Sequence, residues 1–432
     1  MNLTKLRLKN YRRFADFEIS FDPELTVIAA RNGQGKTTIL EAIAAAFGPF
    51  VGAFDMGKSK HIERSDARYS RLGDGFENEQ NFPVVIDAEM TTPDVQWQRA
   101  LLSPKGRTTT KEAASLANWG KEFQSMLRTS PDVVLPLVCY YSSGRLWVSH
   151  KSTSSKAVLT KSRTAGYEDC LSWLSNYVQL QQWMRKATYA VIQQREQPGY
   201  ELSNLEPRLQ GIKDAVNQVL AEEGWSGFHY SLVFEDLAMS HPDHGALPLS
   251  LLSDGVRAMI SLAADLAFRC ARLNGQLREL APKETDGIVL IDEVDLHLHP
   301  AWQQRVIASL RQAFPRFQFI VTTHSPQVLT TVNREQIRIV RRDEEGNWLS
   351  EKPTLSPLAQ ESGDALAHVM DVSPKPPLEI VAKAHAYEQL VRSGKGQEIE
   401  ARQLKAELDA MGYEIPAPQA ALWAFLAEQA GK

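Results

Sequence analysis

Three cysteines in 432 residues, Cys139, Cys170 and Cys270, are too few and too scattered for a disulfide framework. No two form a C-x-x-C pair, which excludes a zinc ribbon or a redox dithiol and suits a reducing cytoplasm. Positive charge is not in excess either. The 48 Lys and Arg against 52 Asp and Glu leave a formal net charge of −4, which excludes coating nucleic acid through bulk charge but leaves a local basic groove open. No apolar run approaches the roughly 20 residues needed to cross a bilayer. Residues 1–8 alternate like a strand and lack the apolar core of a secretory leader, so a soluble, cytoplasmic protein with no membrane partner is expected. Apolar content of 43% and charge of 23% are ordinary globular values. A chain of this length buries a large core, as one domain with appendages or as two to three lobes.

What the chain does have is concentrated where strand-like runs end in polar residues. The first such place is Ala30-Arg31-Asn32-Gly33-Gln34-Gly35-Lys36-Thr37, the P-loop pattern G-x-x-x-x-G-K-[ST] with Ala in first position. It follows the β-branched run 25–29 and precedes 38–47, whose apolar residues fall at helical spacing. Gly33 and Gly35 let backbone N–H groups converge on a triphosphate, and the helix N-terminus adds partial positive charge. The expected phosphate-binding residues are Arg31, Asn32, Gly33, Gln34, Gly35, Lys36, Thr37 and Thr38. Lys36 would reach the β- and γ-phosphates, and the Thr37 hydroxyl would ligate Mg²⁺.

Upstream, residues 3–9 and 17–21 alternate as two strands around a turn at 10–14. Downstream, 56–82 has no periodicity and reads as a loop, 84–90 and 95–101 read as antiparallel strands, and the basic stretch 105–111 reads as a solvated hairpin end, with contact to a nucleic acid backbone as the alternative. Residues 135–141 form a buried strand that runs into Ser142-Ser143-Gly144-Arg145. Arg145 could stabilise phosphate charge, couple to a partner subunit or pair with an acidic neighbour. From 167 to 225 the spacing is helical and broken at Pro198-Gly199, without the sustained heptads of a long coiled coil. Residues 228–234 alternate as a strand.

Leu252-Ser253-Asp254-Gly255-Val256-Arg257 opens an amphipathic helix. A Ser and a Gly at a helix start offer a hydroxyl, backbone N–H groups and dipole to an anion, or more plainly an N-cap. Ile288-Val289-Leu290-Ile291-Asp292-Glu293 is a short apolar run ending in two adjacent carboxylates, the form of a central parallel strand that delivers acids to a phosphate site. Asp292 would hold Mg²⁺, through water, and Glu293 would orient or deprotonate the attacking water. His297 and His299 share a face but lack a third ligand, so no zinc site is expected. A helix is expected from Trp302 to Phe314, then a buried strand at 317–323. His324 follows, placed to sense or stabilise the γ-phosphate, with a lone capping histidine as the plain alternative.

In order, the P-loop, Leu252-Ser253-Asp254-Gly255, Asp292-Glu293, Asp295 and His324 resemble the motifs of ABC-type ATPase heads of the RecF, SMC and OLD kind, over residues 1–345. The resemblance implies an α/β fold with a mixed sheet: a P-loop NTPase head split over 1–165 and 226–345, a helical insert at 166–225, and a helical C-terminal region at 346–432. It implies ATP with Mg²⁺, with Lys36, Glu293 and His324 as the catalytic residues. It further implies a homodimer whose two heads sandwich two ATP molecules. The P-loop of one head faces Ser253 and Gly255 of the other, Asp295 is the D-loop residue, and His324 is the switch histidine. Within that superfamily, the stretch 140–147, the stretch 295–300 and the short insert look most like PtuA-type ATPases of Septu and retron-associated antiphage systems, which pair with a separate HNH nuclease, PtuB. Two positions depart from the pattern. Ala30 for Gly is mild, whereas Asp254, where ABC signatures usually carry Gly, puts a carboxylate near the partner's phosphates. No Q-loop glutamine is evident.

Beyond the head, Pro374-Lys375-Pro376-Pro377 is a stiff break. Leu404, Leu408 and Met411 form one helical stripe and Leu422, Phe425 and Leu426 another, packed on their own head or offered to a partner. No HNH-like metal cluster or Toprim-like acidic pattern follows His324, so any cutting of nucleic acid falls to another chain. The sequence thus reads as an SMC-like ATPase that dimerises on nucleotide and regulates an effector nuclease. Two rivals stand beside it: a RecF-like repair ATPase that binds DNA, and a nucleotide sensor whose ATP-bound form holds a nuclease inactive.

Overall fold

Leucines spaced along the first residues carry the chain into β1 (Leu3–Tyr11), which pairs antiparallel with β2 (Phe14–Ser20), Leu8 opposite Phe17, around a turn where Asn10 and Arg12 take positive φ. This computed structural model describes residues 1–71, 78–146, 162–172, 177–196, 204–373, 375–415, 420–423 and 425. β3 (Leu25–Ala29), wholly buried, leads into α1 (Lys36–Ala46) and the short α2 (Gly48–Val51). The stretch 56–82, expected as a plain loop, contains the short pair β4 (Tyr69–Arg71) and β5 (Asn78–Gln80). Its order has a polar source: the Asp66 carboxylate accepts from the Glu63 N–H at 2.9 Å and pairs with Arg12 at 2.8 Å.

β6 (Val84–Thr91) and β7 (Asp94–Leu101) extend the first sheet to the order β2-β1-β6-β7. Next come α3 (Ala114–Thr129), β8 (Leu137–Tyr141), α4 (Tyr177–Arg195) and α5 (Leu205–Leu220). β9 (Ser226–Ser231), β10 (Asp236–His241) and β11 (Gly245–Pro248) form a small antiparallel sheet ahead of α6 (Asp254–Leu273) and α7 (Ala281–Glu284). The unit ends with β12 (Gly287–Ile291), α8 (Pro300–Gln303), α9 (Val306–Ala313), β13 (Phe317–Thr323), α10 (Pro326–Leu329), β14 (Ile337–Arg342), β15 (Trp348–Glu351) and α11 (Ser362–His368).

Some boundaries shift for local reasons. Residue 135 does not join the strand because the Asn274 side chain takes both its N–H and its carbonyl, at 2.8 and 2.9 Å. The helix expected over 302–314 is two helices. It breaks at Arg305, whose φ is −115°, next to Gln303, whose side-chain amide donates to the Leu298 carbonyl at 2.9 Å.

The central sheet has the order β15-β14-β3-β13-β12-β8, parallel except for β15 at the edge, so the fold is α/β with a mixed sheet. β3, β8, β12 and β13 are buried along their whole length, as strands covered on both faces must be. α1 packs between this sheet, on β8, β12 and β13, and β6 of the first sheet. Its C-terminal carbonyls are held from β7: Trp97 Nε1 donates to Ala46, and the fully buried Arg99 donates to Ala45. A parallel sheet of this kind opens its ligand crevice beyond the carboxyl ends of its strands, and the four stretches singled out by sequence lie at or beside that rim.

Residues 1–370 form this unit, and residues 371–432 a second one. In the second, α12 (Glu379–Arg392) packs on α13 (Ile399–Ala410), with Lys383 bridging to Glu407 at 2.7 Å. Of the stripe Leu404, Leu408 and Met411, Leu408 is buried and Met411 is 47% exposed. Pro374 and Leu426 lie outside the described residues, as do Trp147 and the break at Pro198-Gly199.

Candidate nucleotide-binding site

β3 delivers the chain to the P-loop, where Gly33 and Gly35 take the left-handed φ values of 72° and 95° that let the loop double back into α1. Gln34 is used inside the loop: its side-chain oxygen accepts from the Arg31 N–H at 3.0 Å. Lys36 is 5% exposed and curls over the loop, donating to the carbonyl of Ala30 at 2.9 Å and of Arg31 at 3.4 Å. Burial lowers its pKa to about 8, against the opposing pull of Asp292, Glu293 and Asp295. It is therefore an ammonium short of negative charge, which a triphosphate would supply. Thr37 is exposed at the loop and Thr38 is buried.

The carboxylates come from the neighbouring strand. Asp292, 1% exposed, follows β12 and accepts from the Thr37 hydroxyl at 2.8 Å through one oxygen and from the Thr322 hydroxyl at 2.7 Å through the other. A hydroxyl and a carboxylate in contact beside a phosphate-binding loop form the hard-oxygen set that Mg²⁺ takes, so these residues fit that ion. Glu293 has a positive φ of 49°, uncommon for a non-glycine residue, and the kink is held because its N–H donates to Thr322 Oγ1 at 2.8 Å. Asp295 accepts from the Thr323 hydroxyl at 2.6 Å. His324 is half-buried, and its pKa is lowered by burial and by Lys36. It does not cap the helix that follows; Ser325 does, accepting from the Val328 N–H at 3.2 Å.

Three features escaped the sequence reading. Thr322 and Thr323 fix Asp292, Glu293 and Asp295 from β13, and the only trace of this was a Thr-Thr pair at the end of an apolar run. Arg13 and Phe14 lie over the P-loop. A Cβ added to Gly35 would meet Phe14 Cζ at 2.7 Å and Arg13 Cδ at 2.9 Å, and one on Gly33 would lie 4.0 Å from Arg13 Nη1. Trp348 of β15 holds Arg13 there. Its ring centroid is 5.6 Å from the Arg13 guanidinium carbon and 4.7 Å from that of Arg342, and its indole N–H donates to the Arg13 carbonyl at 3.1 Å. Arg13 makes no ion pair among the described residues.

Ser253 and Gly255 sit at the start of α6. The Ser253 carbonyl accepts from the Arg257 N–H at 2.9 Å, while its exposed side chain makes no capping bond. A Cβ on Gly255 would come within 2.4 Å of the His297 carbonyl oxygen, so the segment after Asp295 packs directly on the first turn of α6. Asp254 forms an ion pair with Arg257 one turn on, which offsets the carboxylate charge that its place in the motif made suspect. The side chain of Arg145 lies outside the described residues.

A family model described as "AAA domain" matches residues 5–222, half of the chain. The chain belongs to this family of ATPases. A second AAA model, described as "AAA domain, putative AbiEii toxin, Type IV TA system", matches residues 192–330 of this AAA-domain ATPase. The Retron Vc95 probable ATPase of Vibrio cholerae is 26% identical over 91% of this chain and 85% of its own length. The Septu protein PtuA of Bacillus mycoides is 38% identical over 22% of this chain and 12% of its own length. Among solved structures, the SMC head domain from Thermotoga maritima covers 82% of this chain and all of its own, at 16% identity and a TM-score of 0.43. The kinship read from the motifs is borne out at the level of the ATPase head and of the retron and Septu relatives. No helix among the described residues is long and apolar enough to cross a membrane.

Proposed function

We propose that this ATPase binds Mg·ATP at residues 31–38, closes on it with a second copy of the chain, and through that cycle controls a separate effector nuclease in defence against phage. The observation that carries the reading is the retron relative, similar over nine-tenths of this chain and most of its own length. The geometry supports the roles assigned. Lys36 supplies the positive charge that the β- and γ-phosphates need. Thr37, with Asp292 through water, would hold Mg²⁺, which when bound neutralises phosphate charge in the transition state. Glu293, at the kink just after β12, orients the attacking water and takes its proton, and neutral His324 beside Lys36 senses the γ-phosphate. Ser253 and Gly255 would complete the site of the other copy, Asp295 would line the joint, and the nuclease is expected to be of the HNH, PtuB-like kind.

The test pairs two variants in cells that carry the chain with its neighbouring genes. Lys36→Ala should lose nucleotide binding and protection from phage together. Glu293→Gln should keep ATP, hold the dimer and stop turnover. Protection lost in both fits a hydrolysis-driven cycle, whereas protection kept in Glu293→Gln alone supports a sensor in which bound ATP is the signal. Copurification that yields no nuclease with either form would overturn the effector part of the proposal.

A further inference from the structure

β8 carries two consecutive tyrosines on opposite faces of the central sheet, and they are treated differently. Tyr141 faces α6, where its hydroxyl donates to Asp265 Oδ2 at 2.8 Å and Arg269 Nε donates to the same oxygen at 2.8 Å. Tyr140 faces the other way, toward the α1 side. The Lys60 ammonium sits 5.1 Å from its ring centroid, the residue is 3% exposed, and its hydroxyl is buried with no hydrogen-bond partner among the described residues. A buried hydroxyl without a partner is costly, and a phenylalanine would avoid the cost, so the group calls for an explanation.

The strand register shows what that hydroxyl is near. Tyr140 lies opposite Leu290 in the parallel β8–β12 ladder. Asp292 is two residues further on, and the Asp292 N–H donates to the Tyr141 carbonyl at 2.8 Å. Alternation puts Leu290 and Asp292 on one face, and the hydrogen bond from Thr37 of α1 confirms that the Asp292 carboxylate looks toward α1, as Tyr140 does. From strand spacing the two residues are diagonal neighbours, about 8 Å apart at the backbone, a gap that a tyrosine side chain spans. In line with this, burial and then the Asp292 charge push the Tyr140 hydroxyl far above its usual pKa, so it stays a donor at any physiological pH.

We propose that Tyr140 is a positioning residue of the Mg²⁺ site: its hydroxyl donates to a water in the outer shell of the ion held at Thr37 and Asp292. The inference rests on the nucleotide-site reading above. Outer-shell donors fix the orientation of metal-bound groups, and their loss costs metal affinity more than folding. The Lys60 ammonium on the ring face holds the aromatic plane in place.

The experiment uses the full chain with Tyr140→Phe. It follows binding of a fluorescent ATP analogue across a Mg²⁺ titration, binding in EDTA, and the melting temperature without ligand. The Mg²⁺ concentration for half-maximal binding should rise about tenfold. Binding in EDTA should be unchanged, and the melting temperature unchanged or higher. An unmoved Mg²⁺ titration would overturn the inference and leave Tyr140 as a packing residue. So would a variant that loses nucleotide binding equally in EDTA. A wild-type chain that binds nucleotide with no Mg²⁺ dependence would overturn the inference and leave the nucleotide site standing, while a wild-type chain that binds no nucleotide would overturn both.

Discussion

At the rim of the central sheet the polar groups are engaged within the chain. Thr37 and Thr322 hold the two oxygens of Asp292, Thr322 also takes the Glu293 N–H, Thr323 holds Asp295, and Lys36 is folded onto loop carbonyls. The first turn of α6 is the opposite case: Ser253 is exposed and its hydroxyl caps nothing in its own helix. Groups that bind each other before the ligand arrives are preorganised for it, whereas a helix start whose donors point outward waits on something from outside. On the proposed reading, in which the site is shared by two copies of the chain, this contrast is the one expected. Gly255 blurs it, because the close approach of the His297 carbonyl already explains a glycine there without any partner.

The largest expected effect separates the rim from everything else. Glu293→Gln should lower the ATP turnover rate by about 10²–10⁴-fold while nucleotide affinity stays close to wild type, since only the base is lost. Steady-state hydrolysis beside equilibrium binding checks this, and near-normal turnover would take Glu293 out of the mechanism. The second effect belongs to α6. Ser253→Arg should leave the affinity of the isolated chain for ATP unchanged, yet abolish the nucleotide-dependent dimer seen by light scattering in the Glu293→Gln background. If Ser253→Arg instead weakens binding by the single chain, α6 belongs to the same half-site as the P-loop and the comparison fails.

A third, moderate effect is pH-dependent. Burial lowers the Lys36 pKa to about 8, below its unfolded value of about 10.5, so the fold penalises the charged lysine at neutral pH and is relieved of that penalty as pH rises from about 8 to about 10.5. Nucleotide reverses the preference because its phosphates favour the ammonium. Affinity should therefore be flat below about pH 8 and fall by up to about tenfold per unit above it, with proton uptake on binding at pH 8.5. Calorimetry in two buffers of different ionisation enthalpy measures that uptake. Its absence would mean that the lysine keeps its proton in the empty loop.

How much of this was legible in the sequence depended on how local each feature is. The P-loop is one contiguous motif whose glycines, lysine and threonine act within eight residues, and β12 and β13 show themselves as short apolar runs with polar ends. Thr322 was not legible because its role comes from the register of β13 beside β12, which no spacing within either strand reveals. Arg13 and Trp348 are more than 300 residues apart and meet only because β15 lies against β2. α3 was not read, although Leu116, Trp119, Phe123 and Leu127 fall at helical spacing and pack on the core; only Leu116 and Gly120 of its 16 residues are fully buried, so the stripe is short and half-exposed. Tyr140 and Tyr141 look alike in the sequence, and only the sheet tells their two faces apart.

The smallest effect tests the charged one of the two motif positions that depart from the family pattern. Asp254 lies beside Ser253, where a like charge would repel the phosphates of a partner's nucleotide, and the structure answers this by pairing it with Arg257. Both side chains are largely exposed, 54% and 40%, so the pair itself contributes little to stability. Its value would lie in the local charge that the helix start presents. Arg257→Ala should therefore leave the melting temperature within about a degree of wild type, but weaken the nucleotide-dependent dimer by a few-fold at low salt, with the difference fading as ionic strength rises. Asp254→Asn in the same background should restore the dimer, because the carboxylate that Arg257 offsets is then gone. If Arg257→Ala weakens the dimer and Asp254→Asn does not rescue it, Arg257 acts on the partner directly, and the departure at Asp254 has no electrostatic consequence at the joint.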